Sequence, residues 1–594
     1  MRSPTAAVAA VALWLCLAAA AAAPAGGGAD VSLTLLHTND MHARFEQTSR
    51  SNGKCRRGDE RHCYGGFARV AHVVRGARRR AAEDATAPHV LFLVAGDTYQ
   101  GTVWFTVHKW RIVAAMLNLL HPNASSLGNH EFDNGVAGLV PFLENTSFPV
   151  VAANLDTSDE PALAASPLVK SVVLHLPGGP DVGIIGYLTP ETKIIAFTGK
   201  VKFLDEVASI KEEAERLKRE GINILIALGH SGYKTDQRIA SEVPDIDVVI
   251  GGHTNTFLYT GDAPDSEVPV DLYPKIITQP SGKKVPVVQA YAYTKYLGNL
   301  TVVFDQNGEL KSFTGNPVLL NSSVEEDSEI LKALEEWRAE VDNSTKEIIG
   351  KTRVLLDGAA EHCRLFECNF GNLVTDAMVY TNAKSYHGNG WTNAPIALFN
   401  GGGIRSSIDT SSDGNVTKED ILTTLPFQNT LFFEKINGSQ LLAALENGVY
   451  YYEEVTTRGI GSFPQLSGLK VTYNIKKPAG ARVQEVLVLC GECRVPTYSP
   501  LIESDIYGVI IPAFMKQGGD NYKVFENSIE SSSLDYIDSD IVADYIKQKS
   551  PVYPAIEDRI SFETGTPSHA IRTRSTILLH YMLAAISIYC SVLM

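Results

Sequence analysis

Five short stretches of the chain place metal-ligating residue types directly after apolar runs. Leu35-Leu36 leads into His37-Thr38-Asn39-Asp40-Met41-His42, where Asp40 and His42 are alternate residues able to point to one side. Leu93-Val94-Ala95 is followed by Gly96-Asp97, and Ser126-Leu127 by Gly128-Asn129-His130-Glu131-Phe132-Asp133. Ala227-Leu228 runs into Gly229-His230, and Val249-Ile250 into Gly251-Gly252-His253-Thr254-Asn255. Asp, His and Asn are the mixed oxygen and nitrogen donors that divalent transition metals accept, and glycines let backbone approach an ion or phosphate closely. Two such ions about 3.5–4 Å apart, bridged by one carboxylate, would polarise a phosphoryl oxygen and activate an in-line water. Asp97 is the natural bridge. Taken singly, each histidine reads as an ordinary structural residue bonded to backbone. Five such stretches in this order do not.

The elements that must position these residues follow from patterning. Val31 to Leu36, Val90 to Val94, Val182 to Ile185, Ile222 to Ala227 and Val248 to Ile250 are β-branched or aliphatic runs. Helical patterns such as Asp205 to Lys218 lie between them, so the first part is a layered α/β domain. In such sheets ligands collect where strands end. Ser328 to Val341 carries Ile330, Leu331, Leu334 and Trp337 on one stripe and reads as a connecting helix. A second, α+β segment runs from Lys351 to about Phe562, with strands at Ile396 to Phe399 and Val471 to Tyr473 and a helix at Gln440 to Tyr450. The 594 residues, 44% of them apolar, exclude a single small module and a disordered chain. A formal net charge of -15 excludes a basic field for nucleic acid.

The two ends differ from everything between. Met1 to Ala25 reads as a secretory leader with small residues at its close, and Ile577 to Met594 as a terminal apolar tail. Thr564, Gly565, Thr566 and Ser568 before that tail make the pattern of a glycolipid (GPI) attachment signal, favoured over a retained helix. Cys16 and Cys590 lie in these removable segments. The other six cysteines form three close pairs, read as disulfides Cys55–Cys63, Cys363–Cys368 and Cys490–Cys493 in an oxidising compartment. Seven glycosylation sequons, from Asn123 to Asn437, agree with that route.

His37-Thr-Asn-Asp-Met-His42 and Gly128-Asn-His-Glu-Phe-Asp133 resemble the metallophosphoesterase superfamily, in its 5'-nucleotidase branch. The resemblance continues through Cys363-Arg-Leu-Phe-Glu-Cys368-Asn, Asn400-Gly-Gly-Gly-Ile-Arg405, Leu425-Pro-Phe427 and Phe514-Met-Lys-Gln-Gly-Gly-Asp520, which are similar to the nucleoside-binding domain of animal ecto-5'-nucleotidases. It implies a four-layer α/β/β/α metallophosphoesterase-type domain over 26–320, a connecting helix and linker over 321–350 and an α+β nucleotide-binding domain over 351–562. The leader over 1–25 and a spacer with anchor signal over 563–594 complete the chain.

The same resemblance implies two zinc ions, one held by Asp40, His42 and Asp97, the other by Asp97, Asn129, His230 and His253, with Asn255 a weaker contributor to the first. His130, paired with Asp133, would stabilise charge on the transferring group. Arg364 and Arg405 would bind phosphate oxygens, Phe427 and Phe514 would sandwich the base, Asn400 would contact its edge and Asp520 would bind the ribose hydroxyls. The implied activity is zinc-dependent hydrolysis of nucleoside 5'-monophosphates, AMP first, by a homodimer on the outer face of the plasma membrane, also shed or secreted. A secreted apyrase cleaving ATP and ADP, and a catalytically silent adhesion or receptor protein, are the alternatives. The chain departs from the family in three places, one of them Glu563, where a small anchor residue is usual. Thr375 and Ala397 stand where vertebrate members have an extra cysteine pair, and Gln428-Asn429 follows Phe427 where glycines are common.

Overall fold

The computed structural model describes residues 30–563 apart from 57, 411–412 and 453–458. The predicted leader, and the tail from 564 onward with its anchor signal, lie outside the described residues. No helix among the described residues is long and apolar enough to cross a membrane.

Alternation along the strands builds the first unit. In His89–Ala95, the side chains of Leu91, Leu93 and Ala95 turn one way, where they join Ile184, Ile226 and Leu228 of a second sheet in one buried cluster. Phe92 and Val94 turn the other way, against helices Phe67–Glu83, Trp110–Leu120 and Gly135–Asn145. The second sheet does the same in mirror fashion. Ile185, Tyr187, Leu225 and Ala227 face helices Glu206–Arg219 and Tyr233–Glu242. The result is helix, sheet, sheet, helix, because each strand is apolar on both faces and needs a cover on each.

Chain direction then gathers the chemistry. Val31–Thr38, His89–Ala95 and Ala124–Ser126 are neighbours and run parallel. In the other sheet Asp181–Leu188, Ile224–His230 and Val248–Ile250 are likewise parallel. The carboxyl ends of these strands are where all five predicted stretches begin. Tyr296–Phe304 returns antiparallel against Val31–Thr38 and closes the unit.

The helix Ser328–Thr345 starts at Asp327, whose carboxylate accepts the N–H groups of Glu329 and Ile330. Ile330, Leu334 and Val341 are buried in the same core as Phe67–Glu83, so this helix packs with the first unit. Leu331, predicted on the buried stripe, is 43% exposed, and Val341 takes its share of the contact. The helix is rolled against Phe67–Glu83 so that Ile330, Leu334 and Val341 face inward and Leu331 lies to one side.

The second unit is built on a five-stranded sheet in the order Pro464–Ser467, Ile396–Asn400, Ile506–Pro512, Thr430–Asn437 and Glu530–Ile537. Alternation works here as well: Ala397 and Phe399 face helices Asn369–Ser385 and Asp538–Lys549, while Ile396 and Leu398 face Gly438–Gly448. A four-stranded sheet containing Leu469–Tyr473 packs beyond it. Cys55–Cys63, Cys363–Cys368 and Cys490–Cys493 are all disulfide-bonded.

Candidate functional site

Tight turns, not strand alternation, bring the first donors together. Asp40, His42, Asp97, His253 and Asn255 have φ of 50°, 48°, 51°, 79° and 51°. Left-handed backbone costs of order 1 kcal/mol or more at a non-glycine residue, and five such residues converge on one spot. The expected Asp-x-His alternation is therefore replaced by a turn that aims both side chains inward. His42 Nε2 lies 3.8 Å from Asp40 Oδ1 and 3.7 Å from Asp97 Oδ2. His230 Nε2, fully buried, lies 3.0 Å from Asp97 Oδ2 and 3.8 Å from Asp40 Oδ1. His253 Nδ1 meets Asn129 Oδ1 at 3.0 Å.

Two overlapping donor groups result: His42, Asp97 and His130 form one, and Asp97, His230 and His253 the other. Asp97 is common to both. Its Oδ1 accepts the His130 N–H at 2.9 Å, which leaves Oδ2 turned toward His42 and His230. A Cβ at Gly128 would fall onto the Asp97 carboxylate, so that position has to be glycine.

Divalent cations fit this cluster. Ligands about 2.0–2.1 Å from a tetrahedral ion lie about 3.4 Å from one another, and the donor pairs here stand 3.0–3.8 Å apart. Asn255 Oδ1 is buried without a hydrogen-bond partner, as an oxygen donor near a cation would be. Electrostatics agree. Burial, then the Arg405 guanidinium, push the His42 pKa well below its ordinary value and keep the ring neutral, as a ligand must be. Burial works against charge on His230, but Asp97 and Asp40 outweigh it and raise its pKa to about 10. Burial also opposes charge on Asp97, yet His230 and His130 hold it well below the usual carboxylate range. The proton on His230 must leave when a cation binds.

His130 stands beside the cluster, its Nδ1 2.7 Å from Asp133 Oδ2. Burial disfavours the imidazolium, but Asp133 and Asp97 prevail and its pKa is raised. A charged imidazole held by a carboxylate at the edge of the site can stabilise a developing negative charge.

The second unit brings its residues to the same place. Arg405, after the Gly401–Gly403 turn, puts Nη2 3.2 Å from His42 Nε2. Its guanidinium also lies over Phe427, 5.8 Å from the ring centre, and that ring is 6.0 Å from His130. Asp520, in a left-handed turn at φ 51°, accepts a 2.8 Å bond from Asn400 Nδ2. Burial raises its pKa to about 6, with Asn400 and Arg364 opposing. Phe514 packs against the second core beside Gly519. The structure thus brings Arg405 and Phe427 to the cluster, and sets Asn400 against Asp520 with Arg364 near enough to lower the Asp520 pKa. Asn400, expected at the base, directs its amide N–H groups to Asp520. Cross-unit pairs Lys54 with Glu419, and Arg56 with the Asp409 carbonyl at 2.9 Å, hold the two faces together.

Three residues were not singled out from sequence. Glu131, 1% exposed, accepts the N–H groups of Asp97, Thr98, Tyr99 and Gly128 and so shapes the loop that presents Asp97. A glutamate inside a Gly-Asn-His-Glu motif, two residues after a ligand, was the available signal. Arg44, buried behind His42, donates to the Gly101 carbonyl and lies 4.9 Å from the Tyr293 ring centre. Glu191 Oε2 sits 3.7 Å from His253 Nε2. Arg44 is marked only by standing two residues after His42, and nothing local marks Glu191, whose partner His253 is remote.

The calcineurin-like phosphoesterase family matches residues 33–257, and the 5'-nucleotidase C-terminal domain family matches residues 348–527. Protein 5NUC of Lutzomyia longipalpis is 47% identical over 539 residues, covering 90% of this chain and 93% of that protein. The 5'-nucleotidase of Bos taurus is 44% identical over 560 residues, 94% of this chain and 95% of that one. The crystal structure of a 5'-nucleotidase precursor from Thermus thermophilus superposes with a TM-score of 0.81 at 34% identity, covering 90% of this chain and 100% of that one. With a phosphoesterase half that carries the donor cluster and a C-terminal half that faces it, this chain belongs to the 5'-nucleotidase family of hydrolases.

Proposed function

We propose that the protein hydrolyses nucleoside 5'-monophosphates, AMP first, to nucleoside and phosphate, using two zinc ions held by Asp40, His42, Asp97, Asn129, His230 and His253. The carrying observation is that Asp97 is shared by two donor groups, while Arg405 and Phe427 of the other unit reach the same spot. The donor set is nitrogen and oxygen with no thiolate, which suits zinc at a catalytic site. Zinc ions bound there would supply Lewis acidity at a phosphoryl oxygen and lower the pKa of the attacking water. The rest falls to the chain itself. Arg405 sits against the cluster, where its fork takes phosphate oxygens. His130, kept charged by Asp133, faces the phosphoryl group or leaving oxygen. Phe427 lies beside His130, where it covers the base and excludes water. Asp520 accepts from the ribose hydroxyls, and Arg364 keeps negative charge there tolerable.

The expected setting is the outer face of the plasma membrane, through a lipid added near the C-terminus after removal of the leader, with a homodimer formed through the second unit. Phosphate release from AMP, ADP and ATP by the purified zinc-loaded protein tests the reading. AMP turnover with ATP inert, lost in His130→Ala, is expected. Rapid release from ATP or ADP would establish the apyrase alternative, and no release with zinc bound would leave a silent scaffold.

A further inference from the structure

The sequence departure at Gln428-Asn429 has a structural counterpart. Strands Thr430–Asn437 and Ile506–Pro512 are antiparallel, and their last backbone pair is Leu431 opposite Pro512. Two residues further in each direction, the same register sets Asn429 opposite Phe514. The backbone can no longer continue the ladder there, because the chain turns into the short helix Ala513–Lys516. The Asn429 side chain continues it instead. Its Oδ1 accepts the Phe514 N–H at 3.2 Å, and its Nδ2 donates to Asp538 Oδ2 at 3.2 Å. The Asn429 carbonyl accepts the Asp538 N–H at 2.9 Å, and Asp538 Oδ1 accepts the Ser539 N–H at 2.6 Å.

The amide has only one workable orientation. Turned over, it would set its carbonyl against a carboxylate and its NH2 against an N–H. Asp538, 1% exposed, therefore fixes Asn429, and Asn429 ties the loop two residues after Phe427 to the N–H of Phe514 itself. Phe427 is meanwhile held from the other side by His130 and Arg405. This side-chain bridge extends, past Leu431 and Pro512, the ladder between the segments that carry the two rings.

We propose that Asn429, oriented by Asp538, is a positioning residue that sets the gap between Phe427 and Phe514 and thereby the affinity for the nucleoside base. This rests on the nucleotidase reading above and deepens it. Asn429→Ala and Asn429→Asp are expected to raise KM for AMP about fivefold, the loss of one hydrogen bond, with kcat unchanged. KM for ribose 5-phosphate, which has no base, should stay as it is. Asn429→Asp combined with Asp538→Asn should restore the AMP value, because the carboxylate then accepts from both Phe514 and the new amide. A purely structural role would move AMP and ribose 5-phosphate together and overturn the proposal, as would failure of the double variant to recover. Adenosine binding by calorimetry separates this from the reaction. If wild type binds adenosine but releases no phosphate from AMP, the reaction reading fails alone. Equal adenosine affinity in wild type and Asn429→Ala would sink the bridge.

Discussion

The two halves of the site are built by different means. In the phosphoesterase half, Asp40, His42, Asp97, Asn129 and His253 follow strand ends within a few residues, His230 closes its strand, and strained turns lock Asp40, His42, Asp97 and His253. In the other half, Arg405, Phe427 and Asp520 follow a turn, a helix and a left-handed loop, and side-chain bonds such as Asn400 to Asp520 and Asn429 to Phe514 hold them. Bond-making geometry tolerates little displacement, so it is carried by the sheet itself. On the proposed reading, substrate choice tolerates more and sits on loops that can vary.

That contrast can be broken by substitution, and the largest effect should come from its rigid side. Asp97→Ala removes the carboxylate common to both donor groups and should cost about 10³-fold or more in kcat, with loss of bound metal on elemental analysis. Retained metal and activity would mean that the two groups do not share it. His130→Ala should lower kcat about 10²–10³-fold while metal content stays full, the signature of lost charge stabilisation without lost ligation. Glu131→Gln keeps the shape but weakens the acceptor of four N–H groups behind Asp97, and should cost about 10–100-fold in metal affinity. Titration of the metal-free protein with zinc checks it.

The loop-built side should respond more mildly and in KM. Phe427→Ala is expected to raise KM for AMP about tenfold, from lost base stacking, with kcat for ribose 5-phosphate nearly intact. An equal loss on both substrates would show that Phe427 supports catalysis instead. The smallest effect is one of pH. Burial raises the Asp520 pKa to about 6, so the group is charged above that value and protonated below it. On the proposed ribose contact, an ionised Asp520 would accept from both hydroxyls, whereas the acid form would give up part of that capacity. KM for AMP should therefore rise a few-fold as pH falls through about 6. Asp520→Asn should abolish that dependence, and a profile unchanged in the variant would remove Asp520 from ribose binding.

Legibility followed the same division. Strand Val31–Thr38 and helix Glu206–Arg219 were readable because a β-branched run and a 3.6-residue stripe are local signals, and Asp205 caps its helix as such a residue does. Boundaries moved by a residue or two: the strand expected from Ile222 begins at Ile224 and ends at His230 itself. Leu331 was misassigned because its exposure depends on how the helix is rolled against Phe67–Glu83, which periodicity does not determine.

The donor stretches were visible in the sequence because each follows its own strand, and chain order alone places an Asp or His at a strand end. What the sequence could not show is that turns with positive φ, not alternation, aim Asp40 and His42 at Asp97, or that Glu131 gathers the N–H groups behind it. Those depend on backbone conformation. Nor could it show Arg405 arriving at His42 across 363 residues, or Asn429 standing opposite Phe514. Residue types and spacing determined which chemistry was available, because donor identity is a property of each side chain. Only tertiary structure decided that the donor cluster shares one place with Arg405 and Phe427, because strand direction and the packing of one unit on the other set the distances between residues remote in the chain.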